Sequence, residues 1–283
     1  IWVQPAAGDA GGALGAALVA HHHFQGQPRK LNGVMDGMKG SYLGPEFSQD
    51  DIEKRLTAAG AKFSVQSDGE TIERTATAMT EGNAIGWFQG RMEFGPRAFG
   101  GRSILGDPRD PAMQKTLNLR VKYRESFRPF APSVLREDVA EWFEHDGDSP
   151  YMLMVANVKE DKRREMTEEE QALFGIDKLN VPRSTIPAIT HVDYSARIQT
   201  VHEETNPRYH ALIKSFKEKT GCPIVINTSF NVRGEPIVCT PEDAFRCFMG
   251  SGIEVLVVGN CYLAKEDQDP DLAEDYKDMF ELD

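Results

Sequence analysis

Arg97 and Arg102 lie in the run Arg91-Met92-Glu93-Phe94-Gly95-Pro96-Arg97-Ala98-Phe99-Gly100-Gly101-Arg102-Ser103. Glycines there let the backbone approach a ligand closely, and Pro96 stiffens the loop. The two guanidiniums are forks that match the oxygens of a phosphate or a carboxylate. No Gly-Lys-Ser/Thr follows, so this is not a Walker loop, and it does not read Gly-x-Gly-x-x-Gly. A structural glycine turn would not need the arginines but could tolerate them. Lys122-Tyr123-Arg124 is a second group. If extended, residues two apart share a face, and two cations on one face repel unless an anion lies between them. Seen alone, they read equally well as two surface cations. Third, Asn227-Thr228-Ser229-Phe230-Asn231 ends the apolar run Ile224-Val225-Ile226. A buried strand that ends in a polar loop is the usual place for a ligand in an α/β protein. Ser229 and Asn231 would offer a hydroxyl and an amide to one side, although both types also form turns readily. Arg197, in Tyr194-Ser195-Ala196-Arg197-Ile198, is a lone arginine at a strand entrance. It reads as a surface or ion-paired group unless it joins the others.

The remaining chemistry is sparse. There is no Ser-His-Asp order, no His-Glu-x-x-His and no Cys/His cluster, so nucleophilic or zinc hydrolysis has no support. His21-His22-His23 falls in a helical pattern, where consecutive side chains diverge by about 100° and cannot converge on one ion. Cys222, Cys239, Cys247 and Cys261 have no metal-knuckle spacing and read as free thiols of a cytoplasmic protein.

The formal charge of -12 over 283 residues argues against a general nucleic-acid or anionic-membrane binder. It hides an island. From Arg91 to Arg136 there are ten Lys/Arg and four acids, a surplus of six cations, which leaves the rest of the chain at -18. Such an island suits either a solvated surface helix or a site for a small polyanion such as a nucleotide. No apolar run approaches the ~20 residues of a membrane span.

The elements that must position these groups alternate, as in an α/β fold. Strands are expected at Ile1–Val3, Ala61–Val65, Ala84–Phe88, Tyr151–Asn157, Pro187–Ile189, Ile198–Val201 and Ile224–Ile226, with Glu254–Val258 as the last core strand. Arg128–Val134 reads as extended. Helices are expected at Ala10–Phe24 with Asp9 as N-cap, from Ser48 to Ala59, and at Gly69–Met79, Pro111–Val121, Glu137–Phe143, Pro207–Lys219 and Glu242–Met249. Gln25–Phe47 reads as a linker and Asp161–Glu170 as a charged surface turn. From Glu266 to Asp283 there are nine acids and one lysine, which suggests a solvated tail.

The runs GWFQGRMEFGPRAFGGRSILGDPR, KYRESFRPFAPSV, SARIQTV and INTSFNVRGEPIV, in that order, resemble the O-carbamoyltransferases. That family includes the nodulation, cephalosporin and tobramycin enzymes NodU, CmcH and TobZ. The likeness runs from about Val3 to Leu263. Phe99 stands where the family usually has Leu, an apolar exchange that should leave Arg97 in place.

The resemblance implies a YrdC-like twisted mixed sheet with flanking helices over 41–265. It implies a remnant of an actin-like N-terminal domain plus linker over 1–40, and an acidic tail over 266–283. It joins Lys122-x-Arg124 to Ser229-x-Asn231 as one YrdC-type signature. It implies that carbamoyl phosphate is hydrolysed to carbamate, which attacks ATP to give carbamoyl-adenylate, with transfer to a hydroxyl of a small molecule. Lys122, Arg124, Arg97 and Arg102 would be catalytic, and Arg197, Asn227, Ser229 and Asn231 would bind substrate or ATP. Mg2+ would accompany ATP. Fe2+ or another divalent metal would belong to the protein's own N-terminal domain, where Asp9 matches a metal-ligand motif; Asp9 reads equally as a helix cap. The resemblance also implies a homodimer. Because the chain opens without Met on a strand-like run, it reads as a piece of a longer protein able to form the adenylate but not to complete transfer. The alternatives are a YrdC-type threonylcarbamoyl-adenylate synthase, an RNA-binding YrdC-like module and a non-enzymatic regulator with a dead site.

Overall fold

Short apolar runs pair edge to edge because each leaves backbone N–H and C=O groups that burial obliges it to satisfy. In the computed structural model, which describes residues 4–30, 36–273 and Tyr276, they form one sheet. Its strands are β1 (Ser64–Val65), β2 (Ile85–Phe88), β3 (Arg102–Gly106), β4 (Ala131–Leu135), β5 (Met154–Asn157), β6 (Ser195–Val201), β7 (Ile224–Ser229), β8 (Val255–Val258) and β9 (Cys261–Ala264). Their order is β1-β9-β8-β2-β3-β7-β4-β6-β5. β2 with β8 and β4 with β6 are parallel, and the other neighbours are antiparallel, so the protein is mixed α/β.

The helices are α1 (Asp9–Val19), α2 (Gln49–Ala58), α3 (Asp68–Thr80), α4 (Met113–Thr116), α5 (Val139–Trp142), α6 (Glu168–Ala172), α7 (Gly175–Leu179), α8 (Pro207–Thr220) and α9 (Pro241–Gly250). Local signals set their ends. Ser67 and Thr240 close capping boxes with Glu70 and Asp243, and Gly221 ends α8 with φ of +75°. α3 lies along α8 and α2 along α9. With the sheet they bury Trp87, Phe88, Phe216, Phe230 and Phe248 in one core.

Register fixes where a site can form. β3 and β7 run antiparallel with Ser103 opposite Ser229, so the start of β3 lies beside the end of β7. Ala131 at the start of β4 faces Asn227. β4 is parallel to β6, with Ser133 level with Gln199, which brings the start of β6 to the same end of the sheet.

Several expectations change. Gly8, not Asp9, caps α1; Asp9 is exposed in the first turn, and no side chain caps that end. The helix expected to run to Phe24 becomes a π-turn at Ala20, and the one over Pro111–Val121 becomes a π-turn at Leu117. Pro187–Ile189 is a 3-10 turn rather than a strand, because proline at its start removes a ladder donor. β9 follows the strand expected to be last, and β3 is central although it starts inside the glycine loop. The Gln25–Phe47 linker is in part a packed buttress: the Ser41 hydroxyl donates to the Phe94 carbonyl at 2.7 Å, and the Tyr42 hydroxyl to the Phe99 carbonyl at 2.7 Å. Tyr276, in the expected solvated tail, is 1% exposed. The strand expected at Ile1–Val3, residues 31–35 of the linker, and tail residues 274–275 and 277–283 lie outside the described residues. Among the described residues no helix is long and apolar enough to cross a membrane.

Candidate anion-binding site

The glycine loop is organised from within by Glu93. Its buried Oε1 accepts the backbone N–H of Phe99 at 2.6 Å and of Gly101 at 2.7 Å. Burial pushes the Glu93 carboxyl up, and those N–H groups oppose the shift. Gly100 must be glycine: its φ is +105°, and an added Cβ would stand 2.3 Å from Tyr209. Phe99 is buried edge-on against Tyr151, 5.7 Å between ring centroids.

Arg102 is a correction to the sequence reading. Its side chain is 0% exposed, and its guanidinium donates to the carbonyls of Gln89, Gly90, Gly101 and Pro45 at 3.0–3.2 Å. It also stacks over Phe88 at 3.5 Å. Burial lowers its pKa to about 10. Arg102 borders neither of the cavities described below and holds the loop together from behind.

Arg97, five positions earlier, does the opposite. With Arg197 and Arg124 it borders a cavity of about 170 Å3 at the sheet end defined above. Among the described residues, Arg97 and Arg197 have no carboxylate or carbonyl partner. Burial, then Arg97, pushes the Arg197 guanidinium down to about 10. Two unpartnered like charges facing one small space favour an anion between them. Arg197 sits on β6 opposite Val155 of β5, and so joins the group as the sequence reading required.

Asn227 and Ser229 border the same cavity. The Asn227 amide is fixed by a chain of bonds. Gln199 Nε2 donates to the Phe99 carbonyl at 3.0 Å, which leaves Gln199 Oε1 to accept from Ser133 Oγ at 2.6 Å and Asn227 Nδ2 at 2.8 Å. Asn227 Nδ2 also donates to the Ala98 carbonyl at 3.0 Å, tying β7 to the residue beside Arg97. Its Oδ1 is buried without a partner among the described residues.

A second cavity, of about 430 Å3, adjoins the first through Arg124, Thr228 and Ser229. Lys122, Arg128, Asn231 and Arg233 also border it. Lys122 and Arg124 do not share a strand face as expected: Tyr123 between them has φ of +47°, so the chain turns there. Lys122 Nζ is pulled onto the β7 exit, donating to the Ser229 carbonyl at 2.5 Å, the Asn231 carbonyl at 2.8 Å and Asn231 Oδ1 at 2.7 Å. Ser229 Oγ donates to Asn231 Oδ1 at 2.7 Å. Burial, with Arg124 adding to it, pushes Lys122 down to about 7. Arg124 donates from Nε to Asn118 Oδ1 at 2.6 Å and is lowered to about 10 by burial and then Arg128.

The structure thus gathers Arg97, Lys122, Arg124, Arg197, Asn227, Ser229 and Asn231, and leaves out Arg102 and Asp9. Sequence reasoning missed Arg128, Arg233 and Glu235, which border the larger cavity, and Glu93, which orders the loop. A signal was available for two of them: Arg233-Gly234-Glu235 comes one residue after the polar run, and Gly234 at φ +80° makes the turn. Among the described residues no cluster of three His, Cys, Asp or Glu could hold a metal, and a single exposed carboxylate at Asp9 is a poor chelator.

A family model described as the carbamoyltransferase C-terminus matches residues 76–265. An uncharacterized protein of Synechocystis is 58% identical over 287 residues, covering 100% of this chain and 46% of its own length. The nodulation protein NolNO of Sinorhizobium fredii is 41% identical over 276 residues, covering 96% and 37%. The 3'-hydroxymethylcephem-O-carbamoyltransferase of Amycolatopsis lactamdurans is 32% identical over 262 residues, covering 93% and 43%. The chain belongs to the carbamoyltransferase family and carries its C-terminal domain. It spans less than half the length of these relatives.

Proposed function

We propose that the paired cavities bind carbamoyl phosphate and ATP and make carbamoyl-adenylate for transfer to a hydroxyl-bearing small molecule. The observation that carries this reading is the convergence of Arg97 and Arg197, both without partners among the described residues, on one small cavity that shares Arg124 with a larger basic one. The smaller cavity suits carbamoyl phosphate. The larger, bordered by Lys122, Arg124, Arg128 and Arg233, suits a polyphosphate.

Water cleaves carbamoyl phosphate to carbamate and phosphate. A carbamate oxygen attacks the α-phosphorus of ATP, the bond to the β-phosphate breaks, and pyrophosphate leaves with the negative charge. The acceptor hydroxyl then attacks the carbamoyl carbon, loses its proton and displaces AMP. Charge gathers on phosphoryl oxygens in the first two steps, where fixed guanidiniums stabilise it most in a partly dry site. Lys122 holds Ser229 and Asn231 in place, and Asn227 holds Ala98 beside Arg97. Mg2+ would arrive with ATP, held by phosphate oxygens. A divalent metal for the transfer step would sit in an N-terminal domain preceding a YrdC-like fold, as in the reading of residues 1–40 as a remnant; Asp9 alone does not fit it.

Pyrophosphate release is measured with ATP and carbamoyl phosphate for the wild type and Lys122→Ala. Release by the wild type and at least about a hundredfold loss in the variant are expected. Equal release from both would remove Lys122 from the site.

A further inference from the structure

Glu235 is 8% exposed and borders the larger cavity together with Lys122, Arg124, Arg128 and Arg233. Among the described residues it makes no ion pair with any of them, and those cations pair elsewhere or not at all. A carboxylate among four cations would ordinarily close onto one. Two donors hold it back. Val232 N–H donates to Oε2 at 2.9 Å, and the Tyr276 hydroxyl donates to Oε1 at 2.5 Å.

Tyr276 comes from beyond residue 265, where the match to the family model ends. Its ring is buried against α9: a Cβ added to Gly250 would stand 2.5 Å from its Cγ. Arg246 Nε donates to the same hydroxyl oxygen at 3.3 Å, which directs the hydroxyl's own proton to Glu235. Burial, then Glu235, raises the phenol's pKa, so that proton stays in place. Besides Lys122 and Arg246, which feel its charge, the buried Cys247 thiol lies beside Glu235 and is pushed well up by burial and then by Glu235.

We propose that Tyr276 is a positioning residue for this anion site: its hydroxyl holds the Glu235 carboxylate off the surrounding cations and keeps the cavity open to a phosphate-bearing ligand. The inference rests on the reading that this cavity takes phosphate groups. Without the hydroxyl, Glu235 turns to Lys122 or Arg233 and competes with the ligand as an internal anion.

Inorganic pyrophosphate is titrated calorimetrically at slightly acid pH into the wild type, Tyr276→Phe, Glu235→Gln and the double variant. Tyr276→Phe weakens binding about tenfold. Glu235→Gln does not weaken it, and the double variant regains wild-type affinity because the competing charge is gone. The Lys122 amine, followed by NMR, titrates higher in Tyr276→Phe and lower in Glu235→Gln, a pair of opposite shifts that a merely structural role would not give. Wild-type affinity in Tyr276→Phe, or a double variant as weak as Tyr276→Phe, overturns the proposal. If Tyr276→Phe melts below the assay temperature, the Glu235→Gln affinity and Lys122 shift decide: weaker binding or an unmoved Lys122 overturns it. If the wild type binds no pyrophosphate, the phosphate reading falls, and the opposite Lys122 shifts still decide whether Tyr276 restrains Glu235.

Discussion

Arg97 and Arg102 stand five residues apart in one glycine loop and have opposite fates. Arg102 is sealed in the core with four carbonyls around its guanidinium, while Arg97 faces a cavity with no partner among the described residues. The difference arises from the loop's turn. Glu93 gathers the N–H groups of Phe99 and Gly101, which sends Arg102 inward at the start of β3 and leaves Arg97 at the mouth. Type and spacing made both arginines anion ligands; only their backbone surroundings separate an internal scaffold from a binding group.

Of the two arginines, Arg102 is the one on which folding depends. Arg102→Met leaves the Gln89 and Gly90 carbonyls without a donor among the described residues, while those of Gly101 and Pro45 keep the N–H groups of Gln89 and Met92, and is expected to cost about 3–5 kcal/mol in denaturant unfolding. Stability within about 1 kcal/mol of wild type would return Arg102 to the list of ligands. Arg97→Ala is the converse. It should weaken inorganic phosphate binding about a hundredfold and leave the unfolding midpoint nearly unchanged, because it removes no internal bond among the described residues.

Lys122 stands between the two cases, since it is tied to its own chain yet borders the cavity. Its pKa in the folded protein is lowered to about 7 from the ordinary 10.5. The unfolded chain therefore binds more protons between those values, so this group adds stability as pH rises through that window and removes it as pH falls. A bound anion favours the charged amine. Phosphate binding should thus take up a proton above about pH 7, and affinity should fall from there by up to about tenfold per pH unit. Titration calorimetry in buffers of different ionisation heat reads the uptake, and Lys122→Met should abolish it. The smallest effect is a control. Ser67→Ala removes one half of the capping box at the start of α3, costs about 1 kcal/mol in unfolding and leaves phosphate affinity unchanged.

The legible parts of this molecule are those whose signal is local. Ile224–Ser229 reads as a buried strand with a polar exit because the apolar run and the turn formers are contiguous, and the structure has the strand there. The ends of α2, α8 and α9 follow from Ser48, Pro207 and Pro241. What escaped is set by distant contacts. β3 begins with an arginine that is apolar only in its stacking on Phe88, and β9 is four residues long. The 36–47 segment has no period because it binds the loop through single hydroxyls and backbone groups. Tyr276 looked solvated among acids because its partner, Glu235, lies forty-one positions away.

Carbamoyl-adenylate formation is read by isotope exchange of labelled pyrophosphate into ATP. The reaction is run with the wild type and Arg197→Ala, each with and without carbamoyl phosphate. Carbamoyl-adenylate formation requires exchange by the wild type that depends on carbamoyl phosphate and is largely lost in Arg197→Ala. Exchange driven instead by threonine with bicarbonate, or undiminished in Arg197→Ala, would contradict it.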